Sequence, residues 1–271
     1  MDDATRKKYA ENSEVAWNEA AEVQKSYNYQ RLLDGFRTAG FISMPKGRLR
    51  ILREHGVAGR SVFQPCCNKG LDLLSLKNLG AGRCFGFDIS SEFIKQGNEF
   101  AESGKIDCEL IQADVYDLDS SRDGQFDIGL ITLGTFMWMP DLNDFFAALK
   151  PLFRPNGWLF IHEFHPMSEV LSFEQRPKGV RMNLTGNYFD QTPRHWDKGL
   201  DYFGGKQYDA TPTHRFLHKI SDIIEAMVSN GFAIESFREL EENMKESMFR
   251  EAQRCPIPRS YTLTANYRPD R

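Results

Sequence analysis

The sequence predicts an α/β fold: a doubly wound, mostly parallel sheet with an antiparallel last strand, N-terminal helices and an inserted lid. Three observations predict it. From about residue 60 short apolar runs alternate with helical patterns, as in βαβ units that cover a parallel sheet on both faces. Turn segments such as "SSRDGQ" and "RPNG" separate those runs. A chain of 271 residues, 41% of them hydrophobic, is long enough for one large core, and no repeat or second core divides it.

Residues 1–45 read as a helical cap, with Trp17, Tyr27, Tyr29 and Phe36 as packing positions. The cofactor-binding core spans 60–165. "RSVFQP" is the first strand, "LDLLSLKNLGAG" a leucine-dense crossover helix ending in glycines, and "RCFGFDI" the second strand. Ser90 or Ser91 caps the next helix, on which Phe93, Gly97, Phe100 and Ala101 recur at helical spacing, and Gly104 closes it. "CELIQADV" and "FDIGLITLG" follow as strands three and four. Leu142, Phe145, Phe146 and Leu149 stand at i, i+3, i+4 and i+7, an amphipathic helix. "WLFIHEFHP" is the fifth strand, stopped by Pro166.

Residues 166–213 carry several Pro and Gly, little periodicity and many aromatics (Phe173, Tyr188, Phe189, Trp196, Tyr202, Phe203, Tyr208), the composition of an ordered cover. Residues 214–271 complete the sheet: "THRFLHKI" reads as a strand, "SDIIEAMVSNG" as a helix and "RSYTLTANYR" as the last strand.

Composition excludes several classes. With 34 basic against 38 acidic residues the chain has no general attraction for polyanions, so no nucleic-acid partner is expected. The start "MDDATRKKYAENSE" is charged, and the longest nearly apolar stretch, "IGLITLGTFMWMP", is too short to span a bilayer; a cytoplasmic protein with no membrane partner is expected. Five cysteines (Cys66, Cys67, Cys84, Cys108, Cys255) form no C-x-x-C pattern, so reduced thiols are expected and neither a disulfide framework nor a metal site. Homo-oligomer formation is left open.

In an open parallel sheet the ligand lies beyond the carboxyl ends of the strands, which brings the 65–70 loop, Asp88, the 132–139 segment and Glu163 with His165 to one crevice. Asp88 stands 18 residues after Gly70, near the roughly 20-residue offset at which a carboxylate meets ribose hydroxyls in nucleotide folds; a helix-capping aspartate is the other reading.

This order of motifs resembles the class I S-adenosylmethionine-dependent methyltransferases, with their Rossmann-like fold, over about 60–165. "VFQPCCNKG" has Gln64, Cys66 and Asn68 where that family's first loop carries an acid and two glycines, and keeps only Gly70. The stretch is similar to a bacterial variant with a "CCN" loop. The resemblance implies S-adenosylmethionine as cofactor, held by Gln64, Cys66, Cys67, Asn68 and Gly70, with Asp88 and Ile89 at the ribose, Asp114 and Val115 at the adenine, and Thr132 at the end of strand four. It further implies a small-molecule methyl acceptor, with an O or N nucleophile, beside Phe136, Met137, Trp138 and Tyr202. Plain core packing remains the alternative for those aromatics, small-residue packing for the two cysteines, a turn starting "VYDLDSS" for Asp114 and a structural hydrogen bond for His165. "IHEFH" is not H-E-x-x-H, and His162 points away from Glu163 on a strand, so a zinc-hydrolase reading fails. Glu163 or His165 is a candidate base; His214 and His218 are weaker ones. A silent cofactor-binding protein, a nicotinamide-dependent oxidoreductase and a structural interaction module stay as alternatives.

Overall fold

The computed structural model describes residues 1–176, 179–240 and 257–269. Cys255 and the side chain of Phe173 lie outside the described residues.

The chain opens with a 34-residue helix, α1 (Asp3–Phe36), whose first turn is capped by Asp2 accepting from the Thr5 N–H at 2.9 Å. A second helix, α2 (Lys46–His55), follows where the sequence shows no strong pattern. The core then runs β1 (Val62–Pro65), α3 (Leu71–Asn78), β2 (Cys84–Asp88), α4 (Ser91–Gly104), β3 (Glu109–Gln112), β4 (Phe126–Thr132), α5 (Leu142–Leu149) and β5 (Phe153–Phe164). The segment after it forms a hairpin, β6 (Leu171–Arg176) with β7 (Gly179–Leu184), and a short strand β8 (Arg194–Trp196). Then come β9 (Thr213–Arg215), α6 (Ile220–Ser229), β10 (Phe232–Leu240) and β11 (Ser260–Tyr267).

Seven strands form one sheet in the order β10-β11-β5-β4-β1-β2-β3. Strands β1 to β5 pair in parallel, and β11 runs antiparallel to both β5 and β10. Alternation along the strands splits the core between the faces: Phe63, Phe85, Phe87 and Ile131 pack on one side, Val62, Cys84, Leu130 and Phe160 on the other.

Four details depart from the sequence reading. β10 was not foreseen; it is an edge strand with only one face on the core. "THRFLHKI" yields only β9, which pairs with β8 in a ribbon outside the main sheet. β5 begins at Phe153, so "RPNG" lies within it, with Asn156 at φ 63°. Gly104 is the last residue of α4, and the left-handed cap is Lys105 at φ 52°; a side chain at Gly104 would meet the Phe36 carbonyl at 2.4 Å.

Of the expected N-terminal packing positions, Phe36 is buried, Trp17 and Tyr29 are partly buried, and Tyr27 is exposed. Helix α1 docks on α4 through polar bonds as well: Asn18 Oδ1 accepts from Ser90 Oγ at 2.7 Å and from the Glu92 N–H at 3.2 Å, and Gln96 Nε2 donates to the Ala21 carbonyl. Among the described residues no helix is long and apolar enough to cross a membrane.

Candidate active site

A cavity of about 590 Å³ lies beyond the carboxyl ends of the parallel strands. Gln64, Cys66, Cys67 and Asn68 line it from the β1–α3 loop, Asp88 and Ile89 from the end of β2, and Asp114 and Val115 from the segment after β3. Thr132 and Trp138 reach it from the end of β4, and Tyr202 from the 166–213 segment.

The loop explains how glycines can be replaced here. Cys66, Asn68 and Gly70 have φ of 50°, 54° and 65°, so every second residue is left-handed although only one is glycine. The Cys67 N–H donates to the Phe87 carbonyl at 3.1 Å, and the Gly70 N–H to the Cys67 carbonyl at 2.9 Å, which fixes that path. Helix α4 crosses behind it so closely that a side chain at Gly97 would meet the Lys69 carbonyl at 2.7 Å. Cys66→Val should therefore destabilise the fold by about 1–2 kcal/mol, since a β-branched residue resists positive φ, while Cys66→Gly should stay within about 0.5 kcal/mol. Urea denaturation reads this directly; equal midpoints for the two variants would mean that side-chain packing, and not the backbone, restricts the position.

Burial pushes both loop thiols well above the usual cysteine range, with the Asp88 charge acting in the same direction. They are small neutral side chains at neutral pH, with no thiolate to attack or to ligate metal. Among the described residues no group of His, Cys, Asp and Glu is placed to hold a metal ion.

Asp88 Oδ2 accepts from the Asn68 N–H at 2.8 Å and Oδ1 from the Ser90 N–H at 2.9 Å. Each oxygen keeps lone-pair capacity for a further donor. Burial raises its pKa to about 6, against the two N–H bonds, which lower it. Both sequence readings thus describe the same carboxylate: it fixes the turn into α4 and stands in the cavity wall. Gln64 Nε2 donates to Thr132 Oγ1 at 3.0 Å, which leaves its buried Oε1 without a partner.

Four expected site residues do not line the cavity. Gly70 sits behind the loop at the start of α3. Phe136 is buried in the core against Phe145 and Phe146, because the one-turn 3₁₀ helix 136–138 rotates it inward and turns Met137 and Trp138 to the cavity. Glu163 faces the backbone of the loop after β4: its carboxylate accepts N–H groups from Gly134 at 2.8 Å, Phe136 at 3.0 Å and Phe164 at 2.7 Å. His165 Nδ1 accepts from the Met167 N–H at 3.2 Å, so the ring proton lies on Nε2, 3.2 Å from Glu239 Oε1. Burial lowers the His165 pKa, and raises that of Glu163 to about 7 despite the N–H bonds.

His162 faces the other side, as the strand parity requires. It is fully buried, with Nδ1 3.4 Å from Arg48 Nη2, and burial, then the Arg48 charge, takes its pKa down to about 3. His218 stands 2.7 Å from the Met139 carbonyl, and His214 packs against Tyr9; neither lines the cavity.

Other cavity residues were missed. Arg6, Tyr9, Ser13 and Trp17 form one helical stripe on α1. Arg48 pairs with Asp72 in the wall beside the loop. Trp196, Arg215 and Arg259 come from the far end of the chain. The spacing of the α1 stripe was the only one of these signals present locally in the sequence.

The strand order, the antiparallel β11 and the cavity at the strand ends define the Rossmann-like methyltransferase fold. The family described as a methyltransferase domain matches residues 64–161. A methyltransferase from Mesorhizobium loti described as S-adenosylmethionine-dependent superposes with a TM-score of 0.61 at 18% identity, over 86% of this chain and 99% of its own. A geranyl diphosphate C-methyltransferase from Streptomyces coelicolor, crystallised with Mg²⁺, geranyl diphosphate and S-adenosyl-L-homocysteine, does so with a TM-score of 0.53 at 13% identity, over 81% and 78%. At such identities the likeness is one of fold. No curated protein matches the sequence.

Proposed function

We propose that the protein transfers a methyl group from S-adenosylmethionine to an O or N nucleophile of a small molecule. The observation that supports it most is the buried, unpartnered Gln64 Oε1 in the same cavity wall as Asp88. The donor set fits the cofactor: Gln64 Oε1 is an acceptor for its ammonium, and the free lone pairs of Asp88 are acceptors for ribose hydroxyls. Asp114 lies next in the wall, its amide-proximal oxygen already accepting from the Tyr116 N–H at 3.1 Å, and with Val115 it would border the adenine.

The bound cofactor supplies an electrophilic methyl on a sulfonium. The protein's part is to align an acceptor in line with it and to exclude water. Trp17, Trp138 and Tyr202 provide the apolar walls for that task; Trp17 meets Trp138 at 5.1 Å and Tyr202 at 6.2 Å between ring centroids. In this reading residues 166–213 are a lid over a single domain, and the chain works in the cytoplasm. Glu163 is committed to backbone N–H groups, and His165 to the Met167 N–H and Glu239, so no general base is assigned to them.

Calorimetric titration with S-adenosylhomocysteine, with NAD as control, tests the reading. One-to-one binding of the first alone supports it, and screening acceptors with methyl-labelled cofactor follows. Absence of heat from folded, ligand-free protein would overturn it, and binding of NAD instead would restore the oxidoreductase.

A further inference from the structure

The cavity wall carries a cation that forms no ion pair among the described residues. Arg215, on β9, lines the cavity, and its guanidinium carbon lies 4.1 Å from the ring centre of Trp196 and 5.7 Å from that of Trp138. Its buried Nε has no hydrogen-bond partner, and among the described residues no carboxylate stands within ion-pair distance of it. Two other arginines of the cavity wall differ. Arg48 is paired with Asp72, and Arg6 with Asp3. Burial holds Arg215 below its ordinary pKa, although the charge of Glu169, also in the wall, acts the other way.

A guanidinium removed from water without a counter-charge is costly, and the tryptophan faces offset only part of that cost. The two rings flank the guanidinium, whose N–H groups suit a planar or tetrahedral oxyanion. We infer that the methyl acceptor is an anion whose carboxylate or phosphate group docks on Arg215 while its apolar body lies along Trp138 and Trp17. This rests on the methyltransferase reading above and names the substrate class of that site.

The test uses the full chain saturated with S-adenosylhomocysteine and three probes of similar size: benzoate, phenyl phosphate and neutral benzamide. Calorimetry should show at least one anion binding about 10-fold or more tighter than benzamide, and which anion prevails tells carboxylate from phosphate. Arg215→Gln should abolish that preference, and Arg215→Lys should keep part of it. A merely structural arginine would change the melting temperature and leave the anion-to-neutral ratio where it was. Equal binding of all three probes, no binding of either anion, or an unchanged ratio in Arg215→Gln would overturn the inference. If Arg215→Gln does not fold, the wild-type ratio and the Lys variant decide it. Heat from S-adenosylhomocysteine itself, recorded first, separates failure of this inference from failure of the cofactor reading.

Discussion

Asp88→Ala should weaken binding of S-adenosylhomocysteine by about 1–3 kcal/mol, roughly 5- to 150-fold, the scale for losing hydrogen bonds to a charged group. Two effects add. The ribose hydroxyls lose their acceptor, and the N–H groups of Asn68 and Ser90, 2.8 and 2.9 Å from the carboxylate, lose the group that holds the loop against α4. The pH dependence is a sharper check. Burial lifts this carboxyl from 3.8 to about 6, so the ionised acceptor is lost as pH falls through about 6, and affinity should fall with it. Stability runs the other way: the folded state binds the proton more tightly, so this group's contribution is greatest below 3.8 and declines as pH rises to about 6. Opposite slopes of affinity and stability across that window would identify Asp88; unchanged affinity in folded Asp88→Ala would remove it from the site.

Glu163→Ala should cost about 3 kcal/mol or more of folding stability, because two N–H donors of the loop after β4 and that of Phe164 lose their acceptor together. Glu163→Gln should cost less, since the amide oxygen still accepts while its nitrogen meets an N–H head-on. Here too the folded pKa is raised, from 4.5 to about 7, so wild-type stability should decline as pH rises between those values. The interval from about 6 to about 7 belongs to Glu163 rather than Asp88, and the Gln variant should be flat across it. Urea midpoints at several pH values measure this. A slope that survives the substitution would assign the titration elsewhere.

Both residues show what a sequence makes legible. Period and parity are local, and they located the sheet, the α5 helix, the strand-end aspartate and the opposed faces of His162 and Glu163. The left-handed loop could be located through Gly70 but not through Cys66 and Asn68, whose positive φ goes with the bonds of the Cys67 N–H to Phe87 and of the Asn68 N–H to Asp88. Position at a strand end could not say whether Glu163 meets ligand or backbone; that depends on two N–H groups of a loop about 30 residues earlier in the chain. Phe136 left the cavity for the core, while Met137 and Trp138 kept it, because a single 3₁₀ turn sets their direction. Arg215 was hidden because β9 pairs with β8 and not with the main sheet, an association of two short strands with no pattern of their own.

Helix α1 gives the cavity one wall from Arg6 to Trp17, and its outer bonds run to the 166–213 segment: Tyr27 to Asp201 at 2.7 Å, Gln24 to the Leu200 carbonyl at 2.8 Å, and Glu19 to Thr211 at 2.7 and 3.0 Å. The same few bonds thus brace the side facing the loop of Cys66 and the side facing Arg215. On the proposed function, the residence times of cofactor and acceptor should depend on these same bonds. Glu19→Gln should quicken the departure of both by a similar factor, so turnover at saturation would be governed by how fast the spent pair leaves, with the helix as its timer.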